Sequence, residues 1–538
     1  MVARAPFVLF ATCSALLLVP SQASAECDCN HVIEPGTPTV TGTEIGVMPG
    51  DTVCVRGGAR EFLRLYDFVG SPDQWIEVRN CEGVVEIDND DRGYGLTMDG
   101  SRYVRITGTG DDAHTYGFRI RASRDGPDYS ASGVVVAGLS SDYELDHMEV
   151  YEAGFAGFNL KTEPTCDGSA NLGNFVQYDT RVHHNWIHDT VGEGIYFGST
   201  GYGGRDYQCD GQTVTLYPHE HHGADIHHNL IERTGWDGMQ VGVTPVDCYV
   251  WANTIRDVGL EGVEFQQQGM QIGGASACEI WANRLERGPT NGIFILTAAD
   301  TNVHDNLVVD FASSGIYANT NQLPELDGVA YRFVHNTVLR SGRFGIAVFG
   351  PNLGPSIGWN NIVLESAEAD LAAAGDVDFD AQANLTDMSI GDLGFVDPDI
   401  GDFHLEPDSP AIEAGVAASD YSSHDLDGVE RDVDAPDVGA FEYTTEPPPS
   451  GEEAGSTSTS TGGGSSSSSG GSGSGSGGGS EEGETGDAGI AGGEGCGCTA
   501  TADPERRDLP LGLALWALLG LALTGRRTRG SGRGTRRR

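Results

Sequence analysis

Apolar and polar positions along this chain follow a repeat whose units differ in length. Between Val182 and Phe349 an Asn recurs and is followed nine residues later by a Gly: Asn185/Gly194, Asn229/Gly238, Asn253/Gly262, Asn283/Gly292, Asn306/Gly315 and Asn336/Gly345. An apolar residue precedes each Asn by three (Val182, Ile226, Val250, Ile280, Val303, Phe333), and another follows it by two (Ile187, Ile231, Ile255, Leu285, Val308, Val338). After each Gly comes an apolar–x–apolar triplet. These are Ile195-Tyr196-Phe197, Met239-Gln240-Val241, Val263-Glu264-Phe265, Ile293-Phe294-Ile295, Ile316-Tyr317-Ala318 and Ile346-Ala347-Val348. Such alternation over short runs is strand periodicity, giving three short strands per unit separated by turns. The Asn-to-Gly interval is constant while the Asn-to-Asn interval varies, so one half of each unit is fixed and the other admits insertions.

A unit of this kind cannot bury its apolar side alone and must stack on copies of itself. The pattern predicts a coiled parallel sheet whose Asn side chains stack at a tight turn, each bonding the backbone of the next coil. An earlier coil at Leu145–Leu160 keeps Gly157 in phase but carries Met148 where Asn belongs. The ladder is therefore expected to start at Asn185 and to end near Asn360, with Ile357 and Ile362 in phase. These residues resemble the right-handed parallel β-helix families, the pectate-lyase-like and periplasmic NosD-like repeat proteins, over roughly residues 30 to 440. The resemblance implies an all-β, single-stranded right-handed parallel β-helix. "GVMPGDTVCVRGG" and "WIEVRNCEGVVEID" resemble the entry coils of polysaccharide-lyase-type β-helices.

Flanking composition sets the expected boundaries. Residues 1–25 read as a secretory signal peptide, with Arg4, an apolar run from Phe7 to Val19 and Ala23-Ser24-Ala25. The β-helix is assigned to 26–394 and a carboxy-terminal cap to 395–443. A Ser/Gly-rich linker, unable to bury a core, covers 444–495. Residues 496–538 hold Cys496-Gly497-Cys498, an apolar run Leu509–Leu523 and an arginine cluster. They resemble the myxobacterial carboxy-terminal sorting tail, which implies anchoring at the cell surface through the membrane.

A formal charge of −48 argues against nucleic acid, which needs a basic footprint. It suits an exported monomer kept soluble by its own repulsion. Eight cysteines lie between signal and tail, in a compartment where disulfides persist. Cys248 and Cys278 each stand five residues before an Asn, hence in one column on adjacent coils, and are expected to pair. Proximity adds Cys54–Cys81 and Cys166–Cys209, leaving Cys27 and Cys29 open.

Alternation also names the outward side chains beside the Gly strand. The central column reads Asn159, Tyr196, Gln240, Glu264, Phe294, Tyr317, Ala347, and the column before the Gly reads Ala156, Glu193, Asp237, Glu261, Asn291, Ser314. Aromatic rings can cover sugar faces while amides and carboxylates bond hydroxyls, so this face is the candidate surface for an extracellular polysaccharide. Two long insertions, Lys161–Arg181 and Ser199–Asp225, rise beside it, and Cys166 and Cys209 within them imply order. Glu193, Asp237 and Glu261 stacked one coil apart would raise each other's pKa or recruit a cation. They are candidates for acid/base glycoside hydrolysis or for calcium ligation, against a plain solvated acidic ladder. Lys161 is a candidate lyase base, a role that requires a lowered pKa. A non-catalytic adhesin or coat protein is the alternative to a lyase or hydrolase.

Two further groups have plainer readings. Histidines cluster at His183, His184, His188, His219, His221, His222, His227 and His228 without a metalloprotease spacing. His183 and His227 share a column with Trp251, Trp281 and His304, which predicts an exterior stacking ladder, with Glu220 and His222 set apart. Asp425, Asp427 and Asp437 could bind calcium, but Asp-Gly turn chemistry accounts for them more simply.

Overall fold

A computed structural model describes residues 27–123, 131–297, 299–319, 330–350, 355–375 and 377–445. The expected signal peptide, the linker beyond residue 445 and the sorting tail lie outside these residues. Within them, the strands of the coil pair in parallel with their counterparts one coil away, and two short antiparallel pairs lie outside the ladders. The strand Ile195–Phe197 lies between Phe158–Leu160 and Met239–Val241, and His183 pairs with His227, which pairs with Trp251. Three such ladders run the length of the coil. Parallel crossovers of L-residues take the right hand, and the fold is a right-handed parallel β-helix.

Except in the triplet Val263-Glu264-Phe265, the recurring apolar positions turn inward. Ile195, Phe197, Met239, Val241, Ile293 and Ile295 meet Val182, Ile226, Val250, Ile187, Ile231 and Ile255 in one continuous core. Each fully buried Ile or Leu contributes ~2–3 kcal/mol of transfer free energy. The recurring Gly is explained by close approach. A Cβ at Gly194 would strike the Ile231 methyl, and one at Gly315 would strike Val338.

Corners are made by single left-handed residues. His184, His228, Ala252, Ala282, Asp305 and His335, each just before a ladder Asn, have φ between 50° and 55°. The ladder itself runs as expected from Asn185: its backbone N–H donates to Asn229 Oδ1 at 3.2 Å, and its Nδ2 donates to the same oxygen at 3.0 Å. At the start, Asn185 Oδ1 accepts the Met148 N–H.

Three expectations need correction. The ladder does not end at Asn360: Asn336 bonds Asn361, which bonds Asn384. Val338 pairs with Val363, so Ile362 faces outward and Ile357 is out of phase as well. Asn360 has instead become the left-handed corner residue, φ 56°.

The coil of Asn253 closes at Gly269, not Gly262. Met270–Ile272 is its third strand, with Gln271 between Gln240 and Phe294. Val263, Glu264 and Phe265 lie on an exposed loop, in which Gly262 and Phe265 take φ of 67°. Both triplets alternate equally well, and only stacking against Met239 and Ile293 selects the later one.

Segment 395–443, expected as a carboxy-terminal cap, packs on the flank of the coil. Phe395, Phe403, Leu405, Leu426, Val438 and Phe441 pack sideways onto the outward residues Leu307, Val309, Leu339, Ile362 and Leu364. The apolar outer face of those three coils is what this segment covers.

Disulfides join Cys248 to Cys278 and Cys166 to Cys209. Cys54 and Cys81 do not pair with each other; they bond Cys29 and Cys27. The entry strand His31–Ile33 stacks in parallel on Val53–Val55 as the first rung, which brings the two early cysteines within reach.

Candidate functional site

The backbone places the column before the Gly as Glu193, Asp237, Gln268, Asn291 and Ser314, since the Gly194 N–H donates to Asp237 O and the Gly238 N–H to Gln268 O. Glu261 is absent from it. That residue sits on the exposed loop before Gln268, so the expected three-carboxylate stack for calcium is two carboxylates and an amide.

This column is a second polar ladder. Asp237 Oδ1 accepts the Gln268 N–H at 2.6 Å, Gln268 Oε1 accepts the Asn291 N–H at 3.2 Å, and Asn291 Oδ1 accepts the Ser314 N–H at 3.1 Å. Glu193 stands at its head and breaks the rule. Its Oε2 is buried without a hydrogen-bond partner, although the residue is only 2% exposed. Burial, reinforced by the Asp237 charge, pushes the Glu193 carboxyl up to about 8. Burial likewise raises Asp237 to about 7, while its bonds from Gln268 and from Gln240 Nε2 (2.6 Å) favour the carboxylate. Two neighbouring carboxyls are thus differentiated: Glu193 has only its own backbone N–H and the Lys161 charge to favour its anion against burial, and Asp237 has two side-chain and backbone donors from other residues aimed at it.

Around the pair, Lys161 is buried with its Nζ 2.7 Å from Glu163 Oε1 and 4.1 Å from the centre of the Tyr196 ring. Burial alone would depress this ammonium; the Tyr196 and Glu163 interactions outweigh it and raise the pKa. The lowered pKa that a lysine base requires is not what this environment favours: Glu163 and Tyr196 hold Lys161 as an ammonium.

Of the expected sugar-facing column, Tyr196 and Gln240 are buried, and Gln240 also bonds Gln266 of the covering loop at 2.5 Å. Phe294 and Tyr317 stack at 5.4 Å and stay half-exposed, a two-ring platform. Asn159 is half-buried, with Oδ1 unpartnered. Glu264 leaves the column and its place is taken by Gln271. The two long insertions are ordered as expected. The disulfide Cys166–Cys209 links them, and Arg205–Cys209 pairs with Gln212–Leu216 as a hairpin. A concavity of about 440 Å³ lies away from the carboxyls, lined by Arg102, Leu172, Phe175, Tyr178 and Glu220 among others.

The aromatic column is a stacking ladder. His183 lies on His227 at 4.7 Å, His227 on Trp251 at 4.3 Å, Trp251 on Trp281 at 5.5 Å and Trp281 on His304 at 5.9 Å. His222 bonds Glu220 at 3.0 Å. Asp425, Asp427 and Asp437 serve turns and ion pairs. Asp425 accepts the Asp427 and Val429 N–H groups, Asp437 accepts those of Glu413 and Tyr443, and Asp427 pairs with Arg284 and His404.

One regularity was missed in the sequence. The residue four after each ladder Asn alternates in charge (Asp189, Arg233, Asp257, Arg287, Asp310, Arg340) and occupies a left-handed corner with φ of 54–61°. Pairs form between coils: Asp189 with Arg233, Asp257 with Arg287, and Asp310 with Arg340. Counting four from each Asn would have found it.

No known protein family matches the chain, and no curated protein does. Among solved structures it is similar to a pectate lyase (13% identity, TM-score 0.44, 77% of this chain and 96% of that one). It is also similar to a periplasmic alginate epimerase (11%, TM-score 0.37, 66% and 85%). A third is a lacto-N-biosidase from Eubacterium ramulus (11%, TM-score 0.35, 65% and 67%).

Proposed function

We propose that this protein is exported, held at the cell surface by its carboxy-terminal tail, and binds and cleaves an extracellular polysaccharide on the face of the third ladder. The observation that carries the catalytic part is the unpartnered, buried Glu193 oxygen beside a hydrogen-bonded Asp237. A carboxyl that stays protonated near neutral pH is a general acid for a glycosidic oxygen, and Asp237, whose two donors favour its carboxylate, would be the base or nucleophile. The Phe294–Tyr317 platform would hold a sugar ring two to three coils away, and Lys161 would position Tyr196 rather than take a proton. Gln240 bonds both Asp237 and Gln266, so substrate hydroxyls would replace the Gln266–Gln240 bond on entry.

The test is full-length protein incubated with acidic and neutral polysaccharides, in calcium and then in chelator, with new reducing ends measured. Release that disappears in Glu193→Gln and Asp237→Asn is expected; release unchanged in both would sink the catalytic reading. Absorbance of unsaturated products would instead indicate a lyase.

One observation favours a non-catalytic adhesin: Asp237 is 0% exposed and acts as a rung of the polar ladder. Saturable glycan binding without cleavage, lost on Phe294→Ala/Tyr317→Ala, would decide for it.

A further inference from the structure

At the Asn corner, on a different edge of the coil, imidazoles meet in pairs. His183 Nδ1 lies 2.8 Å from His184 Nδ1, and one coil on His227 Nδ1 lies 2.9 Å from His228 Nδ1. The rings within each pair are perpendicular, at 89° and 85°. Stacking holds the pairs in register, His183 on His227 at 4.7 Å and His184 on His228 at 4.9 Å. The cause is the backbone. His184 and His228 are the left-handed corner residues (φ 55° and 52°), which turns consecutive side chains onto one corner instead of opposite faces.

In each pair one nitrogen must carry a hydrogen and donate it to the other. For His183 the tautomer is set by Glu144, whose Oε1 lies 3.3 Å from His183 Nε2 and accepts its N–H. The His183 Nδ1 lone pair then faces His184. A carboxylate on the far nitrogen is the arrangement that orients a metal-binding imidazole. A separation of 2.8–2.9 Å is also that of adjacent ligands at right angles around an ion with bonds of about 2.0 Å. The nearby trio Glu144, Asp146 and His183 offers less, because Arg105 already lies 2.9 and 2.8 Å from the two carboxylates.

We propose that His183–His184 and His227–His228 each form a binding site for a divalent transition ion that favours imidazole nitrogen, copper(II) or nickel(II). Hard cations such as calcium prefer oxygen ligands and are refused. The ion replaces the shared hydrogen of each pair. In the His183–His184 pair the Nδ1 proton of His184 moves through solvent to its own Nε2, so both Nδ1 lone pairs face the ion and no net proton is lost. Each pair holds its own ion, one coil above the other, because the stacked rings lie 4.7 and 4.9 Å apart. Because His227 stacks on Trp251 at 4.3 Å, binding reports through indole fluorescence.

The experiment titrates untagged full-length protein with copper(II) chloride, following tryptophan fluorescence, thermal midpoint and the electron paramagnetic resonance of the bound ion. Saturable quenching, a raised midpoint and nitrogen hyperfine couplings are expected, with no response to calcium or magnesium chloride. His184→Gln/His228→Gln, which leaves the His183–His227–Trp251 stack in place, should weaken binding at least tenfold. Non-saturable quenching, a wild-type copper spectrum without nitrogen couplings, or unchanged affinity in a folded double variant would overturn the proposal. The wild-type spectrum decides the matter even if the variant fails to fold.

Discussion

Arg431 reaches from the carboxy-terminal segment into the wall of the solenoid, its Nη2 2.6 Å from Asp305 Oδ1 with both side chains almost fully buried. Asp305 is itself a left-handed corner residue and also receives the Ser422 hydroxyl and the His304 ring, both at 2.6 Å. Arg431 further pairs with Glu442 at 3.0 Å and donates to the carbonyl oxygens of Asp437 and Gly439. One guanidinium thereby locks the buttress to a specific coil. The apolar contacts around it would tolerate sliding by a rung; this pair would not.

Removing one partner leaves a buried charge uncompensated, which costs ~3–5 kcal/mol. Arg431→Met should therefore lower the denaturant midpoint by that order and expose segment 395–443 to proteolysis before the coil itself unfolds. Coincident loss of both in wild type and variant would show that the buttress is not separately locked.

The same cluster sets a pH response. Burial alone would lower the His304 pKa, but bonds to Asp305 and Glu279 raise it to about 9. A raised folded pKa stabilises fully below the unfolded value near 6.5, and that stability drains away as pH climbs through 9. Denaturation at pH 6 and pH 9.5 should differ by ~2 kcal/mol more in wild type than in His304→Gln. Asp305 behaves oppositely. The Arg431 and His304 charges overcome burial and hold it at about 2, so its contribution is present above about 4 and is lost as pH falls toward 2.

Glu193 should show a trade between stability and activity. Its carboxyl is raised in the folded state, so ionising it opposes folding progressively from the unfolded value near 4.5 up to about 8. Glu193→Gln removes that penalty. The variant should be more stable than wild type at pH 8.5, by ~2 kcal/mol, while losing polysaccharide cleavage. A variant that is less stable at that pH would mean that the side chain has a partner in solution.

Asn253 makes bonds in both directions. Its Nδ2 donates to Ile226 O, Trp251 O and Asn283 Oδ1, and its Oδ1 accepts from Asn229. Asn253→Ala strands buried backbone groups on two coils, at ~1–3 kcal/mol each. A thermal midpoint lowered by several degrees is expected; Asn384→Ala, on the last rung, should cost much less.

The disulfide linking the insertions should matter locally. Cys166→Ser/Cys209→Ser should leave global unfolding nearly unchanged while hydrogen exchange accelerates across 205–216, because that hairpin contributes no residue to the main core. Breaking Cys248–Cys278, which joins two rungs of the core, should cost ~2–4 kcal/mol globally.

Local repetition was enough to determine the coil, its inward columns, the start of the Asn ladder and the aromatic stack. Each depends on side chains at fixed offsets from one Asn, and stacked coils read those offsets literally. Where the chain offered two equivalent choices, the offsets had nothing to say. Gly262 and Gly269 both precede alternating triplets, and Asn360 and Asn361 both could continue the ladder; packing against neighbouring coils settled each. The site changed most for this reason. Losing Glu261 and Glu264 turned an acidic stack into a polar ladder headed by a carboxyl with one unpartnered oxygen, and Lys161 is paired with Glu163, a contact no offset in the repeat announces. Contacts between remote segments, such as Arg431 on Asp305 or Cys27 on Cys81, carry no periodicity at all. Only the three-dimensional path of the chain brings them together, because their energies come from burial and charge rather than from the repeat.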